Sequence, residues 1–188
     1  IIIHLANVAN DPTVKLNPTL SWEINVLASK IIADHAIKNK VKKIIFLSSG
    51  SVYGVKKENK VTEELQLNPI SVYNKTKMVS ERVLLSYADK MAVQIIRPAT
   101  VCGYSKRMRL DVSVNLLTMQ ALSKGKITVF GGKQVRPNIH IEDVTDLYIR
   151  ALEWPEQAID GKIFNAGYDN HTVMELAEMV RTVVGQQV

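Results

Sequence analysis

Three residue types at telling positions raise the question of chemistry first: Ser49, Tyr73 and Lys77. Tyr73 and Lys77 stand four apart, so on a helix they share one face a turn apart. An ammonium fixed beside a phenol favours the phenolate and lowers a pKa that is ordinarily about 10. Ser49 closes the apolar run Lys43-Ile-Ile-Phe-Leu-Ser48, which reads as a buried strand. Its hydroxyl therefore falls at the carboxyl edge of a strand, where open α/β sheets bind ligands. A hydroxyl donor, an acid–base phenol and a lysine that tunes it are what reversible alcohol oxidation requires. A proton must leave the hydroxyl as hydride leaves its carbon.

The elements that must hold these groups follow from periodicity. Ile1–Ala6 reads as a buried strand, and its His4 fits either a packed, hydrogen-bonded histidine or a ligand or acid–base group. Asn17-Pro18 precedes a helix that Thr19 or Ser21 would cap. Leu20, Ile24, Leu27 and Ile31 recur at helical spacing, extended by Ile32 and Ala36, predicting that this face packs on the sheet. Asn25 sits among them, and a buried amide demands partners. Ser71 is placed to cap the Tyr73 helix, and Ala92–Pro98 reads as a third parallel strand. Buried strands alternating with helices predict an α/β fold with a doubly wound parallel sheet. Further on, the pattern predicts a helix over 110–123, an amphipathic helix over 142–152 closed by Trp154-Pro155, a strand at 162–167 and a last helix opened by His171-Thr172.

The run Phe46-Leu-Ser-Ser-Gly-Ser-Val-Tyr-Gly54, followed by Asn68-Pro-Ile-Ser and Tyr73-Asn-Lys-Thr-Lys77, resembles the extended short-chain dehydrogenase/reductases, in particular the nucleotide-sugar epimerases and dehydratases. Val129-Phe-Gly-Gly, Arg136, His140 and Asp143 are similar to that family's substrate-lobe signature, and Asn165-Ala-Gly167 to its Asn-x-Gly. Near the start, His4-Leu5-Ala6 matches a strand that in the family follows an N-terminal half carrying a glycine-rich dinucleotide loop. No such loop occurs in this sequence, so the fold expected is Rossmann-like without that half. Residues 1–103 are expected to form the later part of the dinucleotide-binding domain and 104–188 part of a small α+β substrate lobe. Segments 134–150 and 162–167 are expected to return to the main sheet.

The resemblance implies Ser49, Tyr73 and Lys77 as catalytic residues. It implies NAD, in preference to NADP, held by Leu5, Ala6, Asn25, Ser48, Tyr73, Lys77, Pro98 and Val101. It implies a nucleoside-diphosphate sugar contacted by Ser49, Ser51, Tyr73, Thr100, Asn115, Phe130 and Arg136, the arginine gripping the diphosphate. Without the resemblance, Arg136 reads first as a surface ion-pair partner, and the flanking signature reverses that preference. The expected reaction is epimerisation by oxidation and reduction at one sugar carbon. Family dehydratases carry Asp-Glu after the hydroxyl residue, where this chain has Gly50 and Ser51. A reductase, dehydratase or decarboxylase of the same family, or a non-catalytic sugar-nucleotide-binding fragment, are the alternatives.

Composition narrows the partners. In 188 residues with formal charge +6, no apolar run approaches the length of a membrane span. The densest basic run, Lys38–Lys43, lies between a helix and a strand, which suits a solvated helix end, and no interleaved aromatics suggest nucleic-acid binding. The one cysteine, Cys102, has no histidine near in sequence, and such cysteine use suits the cytoplasm. No metal site is expected. Trp22, Val26, Ala33 and Ile37 on the first helix, and Val79 and Leu85 beside Val83 and Leu84 on the second, extend the apolar surface beyond one stripe. Helices apolar on more than one side expect a second partner; the family's homodimer, formed through the helices carrying Asn25 and Tyr73, fits.

Overall fold

A computed structural model describes residues 1–58 and 60–185. The chain divides into two compact units, 1–98 with 149–166, and 99–148 with 167–188.

The first unit is built on a parallel sheet. Strands β1 (Ile2–His4), β2 (Lys43–Leu47), β3 (Ala92–Pro98) and β6 (Lys162–Ala166) lie in that spatial order, all parallel. Successive side chains on a strand point to opposite faces, and both faces are covered. On one, Ile44, Phe46, Val93 and Ile95 pack with Ala33 and Ala36 of α3 (Ala28–Lys38) and Leu84 of α4 (Val72–Leu85). On the other, Lys43, Ile45, Gln94 and Ile96 are also buried. There the Lys43 ammonium donates to the carbonyls of Ala151, Leu152 and Trp154 at 3.2, 3.0 and 2.6 Å, at the end of α6 (Ile141–Glu153). The short α7 (Glu156–Ile159) then leads into β6. So Lys43 does not belong to a solvated helix end; it caps a helix from within the core.

Further expectations about the first unit are corrected. β1 is paired on one side only, and of the run 1–6 only His4 is buried, while Ile1, Ile3, Leu5 and Ala6 are exposed. The stripe Leu20–Ile24–Leu27–Ile31 does not pack on the sheet. Leu20, Leu27 and Ile31 are 43%, 51% and 47% exposed, and the buried positions are Ser21, Asn25, Ser29, Ala33 and Ala36. After α1 (Asp11–Leu16) and α2 (Pro18–Trp22), residues Glu23–Leu27 wind as a π-helix before α3. The inward face is chosen by small side chains that allow close approach and by hydrogen bonds. The helix starts also differ from expectation: Asn10 caps α1 and Asn17 caps α2.

The second unit holds a three-stranded sheet. β5 (Val135–His140) lies between β4 (Thr100–Cys102), parallel, and β7 (Asp169–Thr172), antiparallel. Segment 134–150 therefore does not return to the main sheet; its strand pairs with β4 and β7. Because β4 pairs there too, the division falls after Pro98 rather than after Gly103. α5 (Ser113–Lys124) packs Leu117 and Ala121 against Leu176, Ala177 and Val180 of α8 (Val173–Val184). Thr172 and Glu175 close a reciprocal capping box at the start of α8.

Candidate active site

Helix α4 is gripped at its first turn. Ser71 caps it by accepting the Asn74 backbone N–H at 3.2 Å. Asn25, 2% exposed, donates to Thr76 Oγ1 at 3.0 Å and to Val8 O at 3.1 Å, and accepts the Val8 N–H at 2.7 Å. Thr76 Oγ1 in turn donates to the Tyr73 carbonyl at 2.8 Å, and Ser80 Oγ donates to the Asn25 carbonyl at 2.7 Å. The amide in the π-helical turn thus ties the loop after β1 to the turn that carries Tyr73. π-Turns recur at functional sites.

Lys77 is 1% exposed and donates to Leu47 O at 2.6 Å, leaving two ammonium protons for other acceptors. Its nitrogen stands 4.8 Å from the Phe46 ring centroid and 6.0 Å from that of the half-buried Tyr73. Burial pushes its pKa down to about 8, with Glu81 opposing the fall. His4 is packed: it is 4% exposed, and its Nε2 stands 3.0 Å from Ser29 Oγ. Burial first, then the Lys77 charge, lowers its pKa and keeps it neutral.

At the carboxyl end of β2, Ser49 caps a 3₁₀ turn over Gly50–Tyr53. Its hydroxyl lies 2.7 Å from Ser51 Oγ, which donates to Asn74 Oδ1 at 2.7 Å. A Cβ added at Gly50 would stand 3.2 Å from the Pro98 carbonyl oxygen, so any side chain there presses on the end of β3. Gly54, at φ +70°, permits the turn to close on Asn68 O, where a Cβ would come within 2.1 Å.

Behind the serines lies a buried network that the sequence reading did not contain. Ser48 Oγ donates to Glu81, and Glu81 accepts from Arg97 Nε at 2.9 Å and Nη2 at 2.7 Å. Arg97 Nη1 donates to Tyr53 Oη at 2.7 Å, and Tyr53 donates to Asn165 Oδ1 at 2.8 Å. Glu81 and Arg97 are 2% and 3% exposed. The one charged residue inside the buried strand β3, Arg97, was the available signal, because buried charges need partners.

The structure thus brings Asn25, Ser48, Ser49, Ser51, Tyr73 and Lys77 together around α4 and the end of β2, with Leu5 and Ala6 exposed beyond β1 and Pro98 ending β3. Thr100, Val101, Asn115, Phe130 and Arg136 lie in the second unit. There Asn115 accepts the Gly103 N–H at 3.0 Å and donates to Arg109 O at 2.9 Å, so its amide staples the loop before α5. Phe130 is 80% exposed, and Arg136 is exposed on β5 opposite His171 of β7. Cys102 is half-buried and its thiol donates to Ile139 O at 3.5 Å. Burial raises its pKa, which suits an inert thiol. Among the described residues no cluster of three or more metal-ligating side chains occurs, and no helix is long and apolar enough to cross a membrane.

The parallel sheet carries a hydroxyl, a phenol and a buried lysine at its carboxyl edge, where open α/β sheets bind ligands. The model of the NAD dependent epimerase/dehydratase family matches residues 1–167, and the chain belongs to that family. It is 28% identical over 201 residues to a UDP-glucose 4-epimerase of Lactobacillus helveticus, covering 95% of this chain and 61% of that protein. It superposes on UDP-glucuronic acid 4-epimerase from Bacillus cereus, solved with UDP-glucuronic acid and NAD, with TM-score 0.83 and 27% identity, over 96% of this chain and 59% of the other. MoeE5, solved with UDP-glucuronic acid and NAD, shares the fold at TM-score 0.85 and 24% identity, over 96% and 61% of the two chains. The chain thus spans about 60% of the length of these relatives.

The family's cofactor is NAD, and the donor set fits one end of it. Lys77 offers spare ammonium protons beside Tyr73 at the sheet's carboxyl edge, which suits the hydroxyls of a ribose.

Proposed function

We propose that this chain is part of an enzyme that epimerises a nucleoside-diphosphate sugar through oxidation and reduction at one sugar carbon. The observation that carries this reading is the desolvated Lys77, one turn from Tyr73 and bonded to the strand that presents Ser49. Bound NAD supplies a hydride acceptor and donor. Tyr73 takes the proton of the sugar hydroxyl, Ser49 hydrogen-bonds the same oxygen, and Lys77 favours the phenolate while holding the cofactor's ribose. Leu5, Ala6, Asn25, Ser48, Pro98 and Val101 complete the cofactor side. Thr100, Asn115, Phe130 and Arg136 serve the sugar nucleotide, Arg136 through the diphosphate.

Epimerisation is favoured over dehydration because Gly50 and Ser51 offer no acid–base pair, and Gly50 has little room for a side chain against Pro98 O. The similarity to two sugar-nucleotide 4-epimerases supports the same choice. The protein is read as cytoplasmic and homodimeric, with the exposed Leu20, Leu27 and Ile31 covered by a second copy.

The test is Tyr73→Phe in the complete protein. Loss of one positioned acid–base group should slow sugar-nucleotide turnover by on the order of 10²–10⁴-fold with the melting temperature preserved. Turnover within a few-fold of wild type would remove Tyr73 from the chemistry. A complete protein that binds sugar nucleotide but takes up no NAD would be a binding module instead.

A further inference from the structure

We propose that Glu81 is a positioning residue that keeps the Lys77 ammonium charged and seated beside Tyr73. This role rests on the functions given to Tyr73 and Lys77 above and adds a residue one turn further along α4. Lys77 and Glu81 stand four apart on one helical face and are 1% and 2% exposed. They grip consecutive residues at the end of β2. Lys77 donates to Leu47 O at 2.6 Å, and Glu81 accepts from Ser48 Oγ.

An ammonium taken out of water gives up its proton more readily, and an anion nearby opposes that loss. Burial is the first influence on Lys77 and the Glu81 charge the second, with opposite signs. The other groups that face Lys77 supply no fixed anion. From β1, His4 is held neutral. From β2, Phe46 offers a ring, and on α4 itself Tyr73 is the phenol to be ionised.

From β3 comes Arg97, and it reaches Glu81: Nε and Nη2 donate to the two carboxylate oxygens at 2.9 and 2.7 Å. Its Nη1 donates to Tyr53 Oη at 2.7 Å. Arginine has donors only and an ionised carboxylate acceptors only, so Arg97 is answered by the charged form of Glu81. Charge therefore alternates from β3 towards the site: Arg97 positive, Glu81 negative, Lys77 positive, and Tyr73 as phenolate. Without Glu81 the lysine would give up its proton at lower pH, and a neutral amine does not favour a phenolate.

The test uses the complete protein with NAD and a sugar nucleotide that it turns over, and it has two readouts. Isotope labelling at the lysine ε-carbon follows the ionisation of Lys77 by NMR, its resonance being the one lost in Lys77→Met. The midpoint in wild type should lie at about 8. The pH dependence of kcat follows the chemistry, and its basic limb marks the loss of the Lys77 charge. Glu81→Gln should lower both midpoint and limb by about one pH unit, the lower end of what a close opposite charge commands. Glu81→Leu with Arg97→Met, which leaves no stranded charge, should do the same. Glu81→Asp should bring both back towards wild type. A purely structural glutamate would lower kcat at every pH and move neither position. Unmoved positions in Glu81→Gln and in the double variant overturn the inference. A midpoint that falls while the limb stays upholds the hold of Glu81 on Lys77 and overturns instead the place of Tyr73 and Lys77 in the chemistry.

Discussion

Lys77 carries a cost that the protein bears below about pH 8. Burial holds its pKa at about 8, against 10.5 for an ordinary lysine. Between these values the unfolded chain binds more protons than the folded one, so stability rises with pH through that window. Below it both states are charged, and the whole burial cost remains. Lys77→Met lacks this term. The unfolding free energy of wild type minus that of the variant, from urea titrations of the complete protein, should climb by on the order of 3 kcal/mol between pH 8 and 10.5. A flat difference would mean that the ammonium is solvated. The Tyr73–Lys77 spacing was legible because helical geometry converts four residues into one face. Asn74 was not, because an amide beside a tyrosine has no meaning until Ser51 is known to face it.

At the level of elements, Glu81 of α4 and Arg97 of β3 form a buried bidentate pair that joins helix to sheet. Arg97→Met would strand the Glu81 carboxylate and should cost about 3–5 kcal/mol in urea unfolding. Replacing both, as Arg97→Met with Glu81→Leu, should recover much of that loss, since an apolar pair needs no partner. A single variant within about 1 kcal/mol of wild type would show the pair to be solvated. Strands β2 and β3 were legible because buried parallel strands read as near-continuous apolar runs. The face of the 18–38 helical region was not. Periodicity located a stripe of large residues, but close packing selected Ser21, Asn25, Ser29 and Ala33, which lie four apart, and left the large residues outside. β5 was assigned to the wrong sheet because apolar pattern alone does not name a strand's neighbour.

For the molecule as a whole, that displaced stripe is the surface proposed to meet a second copy. Large aliphatic side chains on one helical face, exposed in the single chain, suit a second copy related by two-fold symmetry. Leu27→Glu should convert the complete protein from dimer to monomer at micromolar concentration, read by light scattering. An unchanged mass would assign that face to solvent.

Lys43 also bears on how the chain folds in time. Its ammonium needs carbonyl groups that follow it by 108 to 111 residues. A nascent chain that has made β1, β2 and β3 still lacks them, and seating β2 would bury an unanswered charge. The first unit therefore matures late, after most of the second has been synthesised. Contacts this distant in sequence slow folding. The interval leaves the half-built sheet dependent on protection from its neighbours.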